Sequence, residues 1–388
     1  MPHLAPGDPR ALSASTRAAF RAAYDAEALV VGHAPGRVNL IGEHTDYNDG
    51  LCLPVALPHR TYVATTPRTD GVVRIASAQL DEPWTGRLDE VVPGSVPGWA
   101  AYAVGVLWAL RETGLPVPGM DALVDGTVPL GAGLSSSAAL ECAVAMAALA
   151  TLGEEVGETR RKMLVGVCMR AETDVAGAPT GGMDQTVALL AEAGTALLID
   201  FSAGSTRAVP IGPDAPEILV IDTGVSHALN DGGYASRRAD CEEAARLLGL
   251  MTLRSATLAD LERLDDDRLR RRARHVVTEI SRVSRTVTEI ESSEWDVVGG
   301  LFAESHASMR DDFEISCPEL DLAVETAVAA GALGARMTGG GFGGSAVALV
   351  APDRRDQVIA AVAEAFTAAG WAPPSTLIAT PSGAAAAD

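Results

Sequence analysis

From Ala138 to Ala150 the chain is apolar on every side, with Glu141 its one charged residue. A helix without a polar face has to be surrounded by other parts of the chain. The stretch Ser135–Leu152 therefore predicts a buried central helix. Glu141 and the glycine-rich loop before it argue against a membrane span, and no other run is long and charge-free enough to be one. At 388 residues and 47% hydrophobic content, the chain has ample material to enclose such a helix and to form two or three domains.

Around this centre the pattern alternates irregularly. Helices are expected over Leu12–Ala28, Thr159–Val175 and Asp356–Ala369, and most of Ser236–Val297 reads as helical. Strands are expected at Leu29–His33, Tyr62–Thr66, Val72–Ala76, Ala122–Val128, Thr195–Asp200, Glu217–Asp222, Ala335–Thr338 and Ser345–Val350. This mixture predicts an α+β fold rather than a regular β-α-β alternation. The Gly, Ser and Pro content of Gly204–Pro213 marks a domain boundary. Pro381–Asp388 reads as a frayed tail.

The net charge of −21 argues against nucleic acid and anionic membrane as partners. Met1–Arg10 lacks the basic start and apolar stretch of a secretory signal. Five cysteines, an odd number with no C-x-x-C pair, speak against a disulfide framework or a zinc site and for a reducing compartment, so a cytoplasmic location is expected.

Three runs carry candidate chemistry. In Gly36-Arg37-Val38-Asn39-Leu40-Ile41-Gly42-Glu43-His44-Thr45-Asp46-Tyr47, apolar residues anchor the run and then Glu43, His44 and Asp46 arrive together without helical spacing. Such a cluster suits a metal or a polyol, since a carboxylate accepts bonds from adjacent hydroxyls; a solvated turn is the plainer alternative. The second run, Pro129-Leu130-Gly131-Ala132-Gly133-Leu134-Ser135-Ser136-Ser137, lies between a strand and the apolar helix. Its glycines let backbone N–H groups point inward beside a helix N-terminus, an anion cradle that needs no lysine. That matters here, because Lys162 is the only lysine and no G-K-[ST] follows a glycine run. The serine hydroxyls suit helix capping, phosphate or a hard cation. In the third run, Met337 to Ser345, five glycines occupy six positions, more than a hairpin turn requires, so backbone approaches something closely there.

In this order and spacing the three runs resemble the GHMP kinase superfamily, and the first is similar to the galactokinase signature. Further segments agree: Gly182-Met183-Asp184-Gln185, the stretch Asn230–Glu242 with Tyr234, Arg237 and Cys241, then Arg272–Glu279, Ser305-His306 and Ser316–Asp321. Two departures stand out. Thr180-Gly181-Gly182 replaces a cysteine and single glycine found in many members, and Ala235 follows Tyr234 where asparagine is common.

The resemblance implies a two-domain α+β GHMP kinase fold. An N-terminal domain, residues 1–205, would carry the sugar signature and phosphate loop. A ferredoxin-like C-terminal domain, 206–388, would carry the glycine run, with the active site in the cleft between them. It implies transfer of the γ-phosphate of MgATP to the C1 hydroxyl of galactose by a monomer. Asp184 would be the general base and Arg37 its partner. Glu43, His44, Thr45, Asp46 and Tyr234 would bind the sugar, with Asp46 and Tyr234 on the axial C4 hydroxyl and Glu43 and His44 at C6. Gly131, Ala132, Gly133, Leu134, Ser135, Ser136 and Ser137 would wrap the ATP phosphates, and Ser137 with Glu172 would hold Mg²⁺. The alternatives are a related kinase acting on N-acetylgalactosamine or arabinose, and a non-catalytic galactose and ATP sensor on the same fold.

Overall fold

A computed structural model of the chain describes residues 1–225 and 232–388. The first half opens with helix α1 (Pro9–Tyr24), whose N-terminus is capped by the Asp8 carboxylate accepting from the Ala11 N–H. It ends at Asp25 in the left-handed region, earlier than its alanine content predicts. Strand β1 (Val30–Asn39) runs on through the first third of the Gly36–Tyr47 motif. It is followed by β2 (Leu51–Cys52), β3 (Pro54–Arg68), β4 (Val72–Ser77), β5 (Trp84–Arg87), helix α2 (Ala100–Glu112) and β6 (Gly119–Gly126). Then come α3 (Ser136–Thr151), α4 (Glu158–Arg170), α5 (Met183–Leu190) and the hairpin β7 (Thr195–Asp200) and β8 (Ser205–Pro210).

The apolar helix α3 is buried from Ala138 through Leu149. One side of it lies so close to β1 that a Cβ on Gly32 would stand 2.3 Å from the Ala143 carbonyl oxygen. Its other sides meet α2, α4 and α5, forming one core with Val104, Leu107, Val144, Met146 and Leu164. Helix α2 is itself buried nearly all round, so it lacks the amphipathic period that reveals a surface helix.

The second half comprises β9 (Glu217–Asp222), α6 (Gly233–Leu248), α7 (Asp267–Glu291), α8 (Trp295–Ser308), α9 (Pro318–Ala329), β10 (Gly334–Thr338), β11 (Ser345–Val350), α10 (Arg355–Ala368), β12 (Ser375–Ile378) and the short β13 (Ala386–Ala387). Four strands form an antiparallel sheet in the order β10-β11-β9-β12, with helical segments after β9 and after β11. That is the ferredoxin-like arrangement expected. A separate cluster containing Val38, Leu40, Ile41, Val128, Val220, Phe302 and Val347 joins the two halves beneath the cleft.

Two expectations are corrected. The Gly204–Pro213 boundary falls on β8, which pairs with β7 residue by residue, so a cut at 205/206 would split a hairpin. The C-terminal sheet begins only at Glu217. Nor is the tail frayed. Ala387 pairs with Gly32, the Asp388 N–H donates to the Val31 carbonyl at 2.9 Å, and Arg161 donates to the Ala385 carbonyl at 2.8 Å. Arg60 binds Ser382, Gly383 and Ala384. These partners lie far away in sequence, which is why composition alone reads the segment as loose.

Candidate active site

A cleft of about 750 Å³ opens between the halves. One wall is the loop from β6 into α3. Gly131 and Gly133 have positive φ, and Gly131, Gly133, Leu134 and Ser135–Ser137 face the cleft. Ala132 is buried behind it, with its carbonyl accepting from the Ser345 hydroxyl at 2.7 Å. The third run backs this loop. A Cβ on Gly339 would lie 3.2 Å from the Gly133 carbonyl oxygen, and one on Gly341 only 2.6 Å from that of Ile315. These glycines are therefore required by close backbone approach, as their density predicts.

At the centre, Arg37 and Asp184 meet. Arg37 lies at the β1 irregularity against β3. It donates from Nε to Asp184 Oδ1 at 2.8 Å, from Nη2 to Oδ2 at 2.9 Å, and from Nη1 to the Gly133 carbonyl at 2.6 Å. This two-point guanidinium–carboxylate pair fixes both groups in orientation. Asp184 stands in the first turn of α5 but does not cap it; the N-cap is Gly182. The Ser135 hydroxyl donates to Asp184 Oδ2.

Beyond this pair lies a polar pocket. Asp46 lies against Gly181, where a Cβ would stand 1.9 Å from Asp46 Oδ2, so only glycine fits. Burial, with the Asp184 charge adding to it, pushes the Asp46 carboxyl up to about 6. Tyr234, on α6, packs over the His44 ring at 5.1 Å and edge-on to Tyr47 at 5.6 Å. Asn230, quoted with the same segment, lies outside the described residues.

The remaining sugar-pocket residues divide. Glu43 Oε1 accepts from the Gly339 N–H at 3.0 Å and Thr338 Oγ1 at 3.2 Å, while Oε2 accepts from Arg336. Glu43 is thus 1% exposed at the cleft wall, with both carboxylate oxygens held by the second half of the chain. Both ring nitrogens of His44 are taken, Nδ1 by the Tyr47 hydroxyl at 2.8 Å and Nε2 by the Gly340 carbonyl at 3.1 Å. Burial holds the ring neutral, pushed down to about 3. The His44 ring lines the cleft beside Tyr234 and Phe313, where a sugar hydroxyl would compete with Gly340 for Nε2. Thr45 is set back from the cleft: its hydroxyl is wholly buried and bonds the Gly42 and Leu51 carbonyls at 2.9 and 2.7 Å.

Glu172 enters on a five-residue π-turn, Ala171–Val175, that extends α4; such wide turns are frequent at functional sites. Its Oε2 accepts from Gln185 Nε2 at 2.5 Å, and the same nitrogen reaches Glu141 Oε2 at 3.0 Å. Burial, with the Asp184 charge adding to it, pushes Glu172 up to about 7, and Ser137 lines the cleft with it. Among the described residues, Arg37 is the only permanent cation lining the cleft, against Glu43, Asp46, Glu172 and Asp184.

Sequence reasoning missed Gln185, Glu141 and Arg336 as working residues. Glu141 had a visible signal as the lone charge in an apolar helix. The apolar and aromatic lining of the cleft was missed too: Leu80, Trp99, Tyr102, Leu130 and Leu140 contribute to it, and no local spacing announces them.

An anion loop with a guanidinium-clamped carboxylate in an interdomain cleft defines a small-molecule kinase of the GHMP class. Residues 101–192 and 286–368 match the N-terminal and C-terminal GHMP kinase domains. Residues 18–67 match the galactokinase galactose-binding signature. The chain is 50% identical to a galactokinase of Streptomyces coelicolor over 94% of its own length and 96% of the relative's. It is 42% identical to a galactokinase of the dog, with 92% and 94% covered. The crystal structure of Lactococcus lactis galactokinase complexed with galactose superposes with a TM-score of 0.91 at 31% identity, covering 97% of this chain and 99% of that one. The chain belongs to the galactokinase family.

Proposed function

We propose that the protein transfers the γ-phosphate of ATP to the C1 hydroxyl of galactose. The observation that carries this reading is the Arg37–Asp184 pair, which bonds the phosphate loop at Gly133 and faces a pocket lined by Asp46, Glu43 and Tyr234. ATP would lie along the cleft with its base at the Trp99–Tyr102 end and its phosphates on Gly131–Ser137. Asp46 and Tyr234 would bind the axial C4 hydroxyl, with Glu43 and His44 on the cleft wall toward C6.

In the reaction the C1 O–H bond breaks and its proton passes to Asp184. The freed oxygen forms a bond to the γ-phosphorus as the bond to the β–γ bridging oxygen breaks, and ADP leaves with that electron pair. Arg37 keeps Asp184 oriented and stabilises the charge that spreads over the moving phosphoryl group.

A single arginine among four carboxylates is poor company for a triphosphate, which is where Mg²⁺ belongs. Ser137 and Glu172 would hold it, and this hydroxyl and buried carboxylate without a cationic partner suit a hard ion that keeps most of its waters. When bound, the metal supplies positive charge to the phosphate oxygens. All five cysteines are free and four are buried, which suits a reducing cytoplasm.

The test is ADP release by the purified protein with ATP, Mg²⁺ and a panel of hexoses. Galactose should be turned over at least about a hundredfold better in kcat/KM than glucose, because a misplaced hydroxyl leaves buried acceptors unpaired. Equal use of glucose would contradict the substrate assignment, and preference for N-acetylgalactosamine would redirect it.

A further inference from the structure

Ser135 is the first serine of the anion loop, and by position it should cap α3 or reach a phosphate. It does not cap the helix. Its φ is +59°, a left-handed conformation that a non-glycine residue adopts at a cost, and its side chain makes no cap bond to the helix. The hydroxyl turns instead onto Asp184 Oδ2. That oxygen already accepts from Arg37 Nη2 at 2.9 Å, whereas Oδ1 accepts only from Arg37 Nε at 2.8 Å. With two donors on Oδ2 and one on Oδ1, the two oxygens are chemically unequal. The other cleft acids, Glu43, Asp46 and Glu172, make no hydrogen bond to Asp184 among the described residues; Arg37 and Ser135 are its side-chain partners.

The geometry points to Ser135 as a positioning residue for the base rather than a phosphate ligand: it closes Oδ2 and leaves Oδ1 as the atom that takes the C1 proton. This rests on the reading of Asp184 as the base. The strained backbone then has a purpose, since a helical or extended Ser135 would carry its hydroxyl away from α5. It also ties the two substrates together. The residue that orients the base is part of the loop that wraps the phosphates, so a displaced loop misaligns the proton acceptor as well.

In the step assigned to Oδ1, the sugar O–H bond breaks and its proton moves to Oδ1. The oxygen's electrons form the new bond to phosphorus, and ADP departs with the electron pair of the bond that breaks. Ser135 keeps its own proton throughout.

The experiment compares Ser135→Ala and Ser135→Gly, alone and combined with Asp184→Asn. Alanine removes the hydroxyl and keeps the strain; glycine removes both. Losing one hydrogen bond to a charged group should lower kcat roughly ten- to a hundredfold in either variant. KM for ATP should stay within about twofold of the parent, and galactose affinity by calorimetry should be unchanged. On the Asp184→Asn background neither substitution should cost anything further, because Ser135 acts through Asp184.

A raised KM for ATP with kcat preserved would overturn the assignment and return Ser135 to the phosphates. Recovery of parental kcat in Ser135→Gly alone would assign the effect to backbone strain and overturn it as well. So would full additivity with Asp184→Asn. Failure of the underlying reading looks different: Asp184→Asn by itself would keep turnover, whatever the serine variants do. Calorimetric binding of galactose by each variant shows that it is folded.

Discussion

Asp46 shows how a residue can be tuned by where the chain puts it. It is wedged against Gly181 and buried near the Asp184 charge, and its carboxyl is pushed up to about 6. Above that pH it would be an anion free to accept the sugar hydroxyls proposed for it; below it the group takes a proton and loses acceptor capacity. Galactose affinity should therefore be lost as pH falls through 6, with Kd about tenfold weaker one pH unit below, if only the anion binds well. Calorimetric titrations between pH 5 and 8 check this. Asp46→Asn should bind more weakly throughout with a flatter pH dependence; an unchanged dependence would place the titrating group elsewhere. Asp46, Tyr234, Arg37 and Asp184 were all legible in the motifs. His44 and Thr45 were legible as members of the motif, but not the buried bonds that hold them. His44 takes a positive φ of 60° that turns its ring between Phe313 and Tyr234, and no motif encodes that turn.

The elements are held around the cleft by one buried arginine. Arg336, in β10, is completely enclosed. It donates to the Leu40 carbonyl at 2.8 Å beyond the end of β1, to Ser305 on α8 at 3.2 Å, and to Glu43. Glu279 on α7 stands 3.5 Å away and accepts from the Gly42 N–H at 3.0 Å. Burial alone would raise the Glu279 carboxyl, but Arg282 and Arg336 outweigh it and hold it down at about 2. The sugar motif and the glycine run thus share one charge network. Removing one partner of such a network leaves the other charge buried and unpaired, so Arg336→Met should lower the unfolding free energy by about 3–5 kcal/mol. It should also raise KM for galactose more than KM for ATP, since Glu43 loses its anchor. Urea unfolding and steady-state kinetics measure the two effects; parental stability in the variant would refute the network's role. In the sequence Arg336 reads only as part of a short strand, because its partner Glu43 is 293 positions away. The apolar helix α3 and the ferredoxin-like second half were foreseeable, since patterning and motif order carry them. The π-turn under Glu172 and the docked tail were not, since they depend on long-range contacts.

Across the whole molecule, the site exists only because the halves meet. Arg37 comes from β1, the anion loop from the entry to α3, Asp184 from α5, Tyr234 from α6 and the backing glycines from the turn between β10 and β11. A chain of net charge −21 with one arginine lining its cleft among the described residues would have to bring positive potential to ATP through loop backbone, a helix N-terminus and the proposed Mg²⁺. What remains for the protein's own side chains is to orient the sugar and accept one proton, and that is the central claim for Asp184. Asp184→Asn keeps the size of the side chain and removes the base. The most direct measurement is kcat for galactose 1-phosphate formation by the parent and by Asp184→Asn, with galactose affinity determined separately by calorimetry. The account predicts a fall in kcat of roughly two to four orders of magnitude, with galactose affinity changed only a few-fold. Near-parental turnover in Asp184→Asn, or a loss confined to galactose affinity, would contradict it.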